Sequence, residues 1–533
     1  MDPWIKQYDA DVRPSLGPYP DKTLLDYLRA LAAEHGNKPA LLFKGATVSY
    51  GRLEAESDAF GAALVAMGVR KGDRVALLLP NCPQFLVAEF GIWKAGGIVV
   101  ALNPTYSERE LEQALDSTRS SLVVVLTPFY ERVKHVQGRT GVRHVIPTSI
   151  KEYLPAQLRL LFTLLKEKKD GHRITPQAGD PWMRTMVRQH LGQRPSVEVR
   201  PDDRAVILSS GGTTGTPKGV VGLHRHYVAA GLQLHEWTKS AQEPWVDNIM
   251  LPLPLFHVYA NVGVQPMAFV GPNPLSLVPN PRDIADVLAT IKRVKPAFFN
   301  GVPTLYTAIL NHPDVRAGKV DLSSIKLCFS GASALMAETK KQFEAATGAR
   351  RIISPTSPAD TGTTPMPAGE VGEMILRAPQ FMSEYWNNPL ETAETLRQHD
   401  GETWVHTGDL GYMDDDGFVF IVDRKKDLIK TSGFQVWPRE IEEVISAHPA
   451  VLEVGVAGVP DPVKGEVAKA WVVLKPGEKA TEDEVRAYCR QRLAPYKVPG
   501  RVEFRTELPK TMVGKILRRA LAADDRASAA ISR

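Results

Sequence analysis

Between residues 74 and 126 unbroken apolar runs alternate with stretches of helical periodicity. The runs are Val75-Ala76-Leu77-Leu78-Leu79, Ile98-Val99-Val100-Ala101-Leu102 and Leu122-Val123-Val124-Val125-Leu126, and the pattern predicts helices over 83–94 and between the last two runs. Valine and leucine runs without polar alternation mark strands buried on both faces, the pattern of a parallel sheet covered by helices. Ser107-Glu108-Arg109-Glu110 has the spacing of a capping box that opens the second helix. A second cycle follows, with a helix over about 283–294 and strand-like runs at 297–299 and 325–329. Two α/β subdomains are expected. From about residue 423 the elements shorten, with helices over 439–447 and 482–493 and a strand over 467–474 that Pro476-Gly477 ends in a turn. This part reads as a small α+β domain.

Over 153–165, Leu154, Leu158, Leu161, Phe162 and Leu165 recur at helical spacing, and Lys166, Lys168 and Lys169 follow. A core-facing helix with Gln157, Arg159 and Thr163 in solvent has this pattern, and so does a helix lying on a membrane surface. The pattern alone favours packing.

The 533 residues exceed one ordinary core, so at least two domains are expected. A hydrophobic content of 43% and a charged content of 23% exclude disordered and collagen-like classes. The net charge of +5 comes from basic residues spread along the chain, so no nucleic-acid partner is implied. Cys82, Cys328 and Cys489 have no metal-ligand spacing and read as buried thiols in a reducing compartment. The first residues lack a signal peptide's apolar segment, and no run approaches the roughly 18 apolar residues of a membrane span, so a cytoplasmic location is expected.

The candidate chemistry begins at Ser209-Ser210-Gly211-Gly212-Thr213-Thr214-Gly215-Thr216-Pro217-Lys218-Gly219, which follows the strand-like Arg204-Ala205-Val206-Ile207-Leu208. Glycines let the backbone turn N–H groups toward oxyanions, hydroxyls add donors, and Lys218 supplies a point charge. The run is not a Walker A loop, because Pro217-Lys218-Gly219 closes it where Gly-Lys-Ser/Thr is required. An ordinary Gly/Thr turn is the alternative for a shorter run.

This run resembles the AMP-binding signature of the adenylate-forming superfamily, which includes acyl-CoA synthetases, luciferases and the adenylation domains of peptide synthetases. Trp404-Val405-His406-Thr407-Gly408-Asp409-Leu410, Val422-Asp423-Arg424-Lys425-Lys426-Asp427, Gly433-Phe434-Gln435-Val436-Trp437-Pro438-Arg439-Glu440-Ile441-Glu442 and Pro509-Lys510-Thr511-Met512-Val513-Gly514-Lys515 resemble its later motifs, in order. The likeness runs from Pro3-Trp4 to about Arg519, and the N-terminal half is most similar to the bacterial long-chain fatty acid–CoA ligase branch. The resemblance implies an α/β fold. A large N-terminal domain over 1–422, of two α/β subdomains plus a β-barrel-like part, would be joined by a hinge at 423–426 to a small mobile α+β domain over 427–533. It also implies conversion of a fatty acid with ATP, Mg2+ and CoA into acyl-CoA, AMP and pyrophosphate through an acyl-adenylate, with peripheral membrane contact compatible with a lipid substrate.

The same resemblance assigns roles. Lys218, with Ser210, Thr213, Thr214 and the backbone of Gly211, Gly212 and Gly215, would hold the departing β/γ-phosphates. Asp409 and Arg424 would contact the ribose, and Lys515 would bridge the substrate carboxylate and the α-phosphate. Gly331 and Ala332 would flank adenine, Lys426 would sit at the hinge, and Gly433 would line the pantetheine path. His257 would gate the acyl pocket, with a satisfied core histidine as the even alternative. Taken singly, Thr407-Gly408-Asp409 is a turn, Lys426 a basic turn residue and Lys515 a solvated charge.

One departure stands out. After Ser330-Gly331-Ala332-Ser333 the family continues to an aromatic-Gly-x-Thr-Glu motif that stacks on adenine, contacts the α-phosphate and ligates magnesium. Here the chain passes from Thr347-Gly348-Ala349-Arg350 through Ile352-Ile353-Ser354-Pro355-Thr356 to Gly369-Glu370-Val371-Gly372-Glu373 without it, and Pro355, Pro358, Pro365 and Pro367 mark a loop. The metal ligand is therefore unassigned. Single preorganised contacts are worth about 10²–10³ in rate at comparable sites. Two alternatives follow: an impaired member that binds nucleotide or acyl ligand without turnover, and an adenylating enzyme that loads a carrier protein.

Overall fold

The strands Arg204–Ser209, Ile98–Ala101, Arg74–Leu78, Leu122–Leu126 and His144–Thr148 lie side by side and parallel, with Val75 between Val99 and Leu122. The antiparallel Gly219–Leu223 and Glu384–Tyr385 extend the sheet beyond Arg204–Ser209. The computed structural model describes residues 3–209, 218–331, 335–347, 352–353, 366–399, 401–424, 427–431, 434–461, 464–511 and 514–531. Each predicted apolar run here is a buried strand, and the Ser107 capping box forms, with Glu110 Oε2 accepting the Ser107 N–H at 2.8 Å.

A second seven-stranded sheet has the order Ile352–Ile353, Leu327–Ser330, Phe298–Gly301, Ile249–Leu251, Leu275–Leu277, Pro39–Phe43, Ala46–Ser49, parallel except for the terminal hairpin. One hydrophobic core runs from Val75, Leu77 and Val99 of the first sheet, through the wholly buried helix Pro83–Lys94, to Ile249, Leu275 and Phe298 of the second. The expected barrel-like part is a four-stranded antiparallel sheet of Gly372–Leu376, Glu402–Met413, Leu396–His399 and Val419–Arg424, and among the described residues it does not close into a barrel.

The small C-terminal unit is built on a five-stranded sheet. Phe434–Val436, Ile429–Thr431, Gly465–Leu474 and Val451–Asp461 are antiparallel, and Arg501–Phe504 lies parallel to Gly465–Leu474. The helices Pro438–Ser446 and Glu482–Arg490 cover it with Ile441, Ile445, Val485 and Cys489. Arg518, at the start of the last helix, pairs with Glu442 at 2.6 Å, Asp423 at 2.7 Å and Asp427 at 3.4 Å, so one guanidinium ties both sides of residues 425–426 to the small unit. The expectation of packing for the segment after residue 153 is corrected. Leu154 is buried and Phe162 packs inward, but no residue of the helix Ala156–Leu165 is buried and its leucines face solvent.

Within the central helix, Glu89 is fully buried and among the described residues has no cation beside it. Its carboxyl accepts amide hydrogens from Asn261 at 2.6 Å and Gln265 at 2.5 Å, and Tyr227 bonds Asn261 in turn. Desolvation outweighs these bonds and moves the carboxyl from the usual 4.5 up to about 7. A pKa raised on folding gives stability that is complete below the unfolded value and is lost as pH rises through the folded one. The denaturation midpoint of the large domain is therefore expected to fall between pH 4.5 and 7, by the equivalent of at most about 3 kcal/mol. Urea titrations across that interval check this: Glu89→Gln should flatten the profile, and an equally steep profile in the variant would contradict the assignment.

Candidate active site

Strand pairing builds the first part of the site. Asp409 on Glu402–Met413 stands opposite Arg424 on Val419–Arg424, and Arg424 Nε reaches Asp409 Oδ1 at 2.8 Å. The Thr407-Gly408-Asp409 segment of that strand is braced from the neighbouring strand. The Thr407 hydroxyl donates to Met374 O at 2.7 Å and accepts the Asp409 N–H at 3.0 Å, while Gly408, at φ +70°, donates its N–H to Glu373 at 3.2 Å. Burial pushes the Asp409 carboxyl up, and the Arg424 and Lys515 charges pull it partly back.

Lys515 arrives from the small unit. Its N–H donates to the Thr511 hydroxyl at 3.1 Å and its carbonyl accepts the Thr511 N–H at 2.8 Å. Gly514 sits there at φ +74°, where a Cβ would collide with Thr304, and Thr304 belongs to the large-domain helix Pro303–Asn311. The close approach and the left-handed backbone both require glycine. Seated this way, the Lys515 ammonium is pushed below the ordinary lysine range by burial and by the Arg424 charge, against an opposing pull from Asp409.

The third part is the carboxyl edge of the second sheet. Gly301 and Ser330 are register partners on parallel strands, and Gly331 donates its N–H to Gly301 O at 3.2 Å. A Cβ on Gly331 would lie 2.5 Å from the ring of Tyr259, which the π-helical turn Tyr259–Val264 holds against it. That turn also carries Asn261, the donor to Glu89. Among the described residues the Tyr259 hydroxyl, the Ser330 hydroxyl and Asn300 Oδ1 are buried without hydrogen-bond partners. Orphaned polar atoms at the carboxyl end of parallel strands suit a polar ligand, and this edge of an open α/β sheet is where ligands bind. A nucleotide fits: the orphaned atoms supply hydrogen-bonding groups at the edge, and Asp409 supplies an acceptor for sugar hydroxyls.

Asp409, Arg424 and Lys515 thus come together, and Thr304 joins Lys515 to the edge that ends at Gly331. His257 lies two residues before Tyr259 and accepts its N–H at 3.3 Å, and burial lowers its pKa. Lys218 is held on the first sheet, ion-paired with Glu391 and with its ammonium 5.5 Å from the Tyr385 ring centroid. Ser210, Gly211, Gly212, Thr213, Thr214, Gly215, Ala332, Lys426 and Gly433 lie outside the described residues. Among the described residues no three histidine, cysteine, aspartate or glutamate side chains gather as a metal site. Thr304, Tyr259 and Asn300 were not foreseen from the sequence. Pro303 at a helix start was a visible signal for the first, whereas the crowding of Gly331 by Tyr259 depends on tertiary packing.

Comparison with known proteins agrees with this geometry. Residues 28–355 match the AMP-binding enzyme family, and residues 440–515 match the AMP-binding enzyme C-terminal domain. A long-chain-fatty-acid–CoA ligase of Bacillus subtilis (strain 168) is 38% identical over 97% of both chains. A 3-[(3aS,4S,7aS)-7a-methyl-1,5-dioxo-octahydro-1H-inden-4-yl]propanoyl:CoA ligase of Rhodococcus jostii (strain RHA1) is 31% identical over 93% of this chain and 97% of its own. The crystal structure of the anthranilate CoA ligase AuaEII in complex with anthranoyl-AMP superposes with a TM-score of 0.82 at 27% identity, covering 97% of this chain and 99% of that one. The chain belongs to the AMP-binding, adenylate-forming enzyme family.

Proposed function

We propose that this protein is an ATP-dependent fatty acyl-CoA synthetase. The observation that carries the reading is the meeting of Lys515 with the Asp409–Arg424 pair beside the orphaned polar edge at Ser330 and Gly331. The likeness to long-chain-fatty-acid–CoA ligases supports the choice of acid. In the first step a carboxylate oxygen of the acid bonds to the α-phosphorus of ATP, the bond to the β-phosphate oxygen breaks, and pyrophosphate leaves. In the second, the CoA sulfur bonds to the acyl carbon, AMP leaves, and the thiol proton passes to solvent.

Asp409 accepts the ribose hydroxyls and Arg424 orients it. Lys515 places its ammonium between the carboxylate and the α-phosphate, where negative charge accumulates. Gly331 and Ala332 flank adenine, and His257 gates the acyl pocket. Lys218, with Ser210, Thr213, Thr214, Gly211, Gly212 and Gly215, takes the β/γ-phosphates, which requires phosphate to replace Glu391 as its partner. The domain limits proposed are 1–422 and 427–533 with a hinge at 423–426; rotation there, freed by release of the Arg518 clamp, would bring Lys426 and Gly433 to the thioester-forming arrangement. Mg2+ would shield the phosphate charge during transfer. No glutamate stands between Ile353 and Gly369 to serve as its ligand. That gap favours a second reading, an impaired family member that binds without turnover, and the AMP-binding match ends at residue 355, where the gap begins.

Acyl-CoA formation should be measured with ATP, Mg2+ and acids from acetate to oleate, offering CoA and, separately, a pantetheinylated carrier protein. Thioester formed on free CoA with long-chain acids is expected. Transfer to the carrier alone, or no thioester from folded protein, would overturn the proposal.

Lys515 must be charged to act, and its charged form is lost as pH rises through a pKa lying below the ordinary lysine value. Pyrophosphate release should therefore decline on the alkaline side before pH reaches the ordinary lysine range of about 10.4. Lys515→Ala should reduce it by about 10²–10³ and remove that limb. A profile flat to the ordinary lysine range would contradict the role.

Gly514→Ala should unseat the loop from Thr304 while leaving each domain folded. Amide exchange at 509–517 is then expected to accelerate by about tenfold or more. Unchanged protection there would show that the loop seats independently of Gly514.

A further inference from the structure

Leu158, Leu160, Leu161, Leu164 and Leu165 of the helix Ala156–Leu165 are all exposed, Leu164 and Leu165 at 70% and 68% and Leu160 at 61%. Leu160 with Leu164, and Leu161 with Leu165, are four residues apart and adjacent on the helix surface, so the leucines form one continuous stripe. Scattered surface leucines need no explanation, but a contiguous stripe marks an interaction site. The opposite edge is anchored, with Phe162 turned inward and meeting the His172 ring at 5.0 Å.

The charges around the stripe are chiefly basic. Lys166, Lys168 and Lys169 follow the helix and are exposed, as is Arg159, whose guanidinium donates to Leu154 O at 3.1 Å. Glu167 is buried and paired with Lys151 at 2.6 Å, which leaves Asp170 as the exposed acid beside the lysines. Pro155 and the exposed Arg293 both approach the Lys44–Gly45 turn, 3.8 and 3.9 Å from where a Cβ on Gly45 would stand. No helix among the described residues is long and apolar enough to cross a membrane, so this one would lie on a surface.

We propose that the helix Ala156–Leu165 docks the protein on an anionic phospholipid bilayer, with the leucines at the acyl boundary and Lys166, Lys168 and Lys169 against the headgroup phosphates. Charge complementarity selects this occupant: a second copy would bring its own lysines to the same patch, whereas anionic lipid neutralises them. The contact deepens the fatty-acid reading, and rests on it for its purpose, because such a substrate partitions into the bilayer from which the enzyme would draw it. The contact itself rests on the exposed stripe.

The test is co-sedimentation of the full chain with vesicles of phosphatidylcholine alone and of phosphatidylcholine mixed with phosphatidylglycerol, without substrate. Binding to the mixed vesicles that weakens with salt is expected. Leu160→Ser with Leu164→Ser, both surface changes, should lower the partition coefficient by about tenfold or more with an unchanged circular dichroism spectrum. Lys166→Glu with Lys168→Glu and Lys169→Glu should abolish the preference for anionic vesicles. Wild-type protein that stays in the supernatant, or a double leucine variant that binds like wild type, overturns the proposal. So does a dimer, seen by light scattering, that the leucine changes dissociate. The vesicle readout is independent of turnover, so failure to make acyl-CoA and failure to bind lipid are separate results.

Discussion

A carboxylate, a guanidinium and an ammonium are brought together in partly desolvated surroundings at Asp409, Arg424 and Lys515, and the rest of the site is arranged around that desolvation. Removing charges from water is costly, and the opposite charges of Asp409 and Lys515 offset part of that cost. The opposed shifts follow from this: burial moves Asp409 upward and Lys515 downward, and each charge restrains the shift of the other. A site held this way is completed by an anionic ligand, which adds negative charge where two cations face one anion.

The components come from separate parts of the chain. Asp409 and Arg424 are fixed by the register of two strands, Lys515 by a loop that seats on Thr304, and Gly331 by the ring of Tyr259. Behind Tyr259, the same π-helical turn carries Asn261 to the buried Glu89, so the edge of the site is braced by the core between the two sheets. Arg518 ties Asp423 and Asp427 to Glu442 and holds the junction in the arrangement that brings Lys515 inward. Releasing that clamp costs buried ion pairs, and phosphate or thiol ligands would have to offset the cost.

Much of the fold was legible in the sequence, because parallel strands buried on both faces must be apolar throughout. Val75 to Leu79, Leu122 to Leu126 and the Ser107 cap carried that signal in adjacent residues. Asp409, Arg424 and Lys515 were legible through ordered motifs. Thr304, Tyr259 and Asn300 were not, since their importance arises from contacts between distant segments. The Ala156–Leu165 helix shows the limit of periodicity: an apolar stripe looks the same whether it packs on a core or on something outside the protein, and solvent exposure decided between them. The open antiparallel sheet in place of a barrel reflects pairing partners, which local pattern does not encode.

The central claim is that a lysine delivered by the small domain enables attack of a carboxylate on ATP at the Asp409–Arg424 pair. The most direct measurement is exchange of labelled pyrophosphate into ATP in the absence of CoA, with and without a long-chain fatty acid, for wild type and Lys515→Ala. Acid-dependent exchange that the substitution reduces by about 10²–10³ is the predicted result. Exchange that is absent with folded wild-type protein, or equal in the two proteins, would contradict the account.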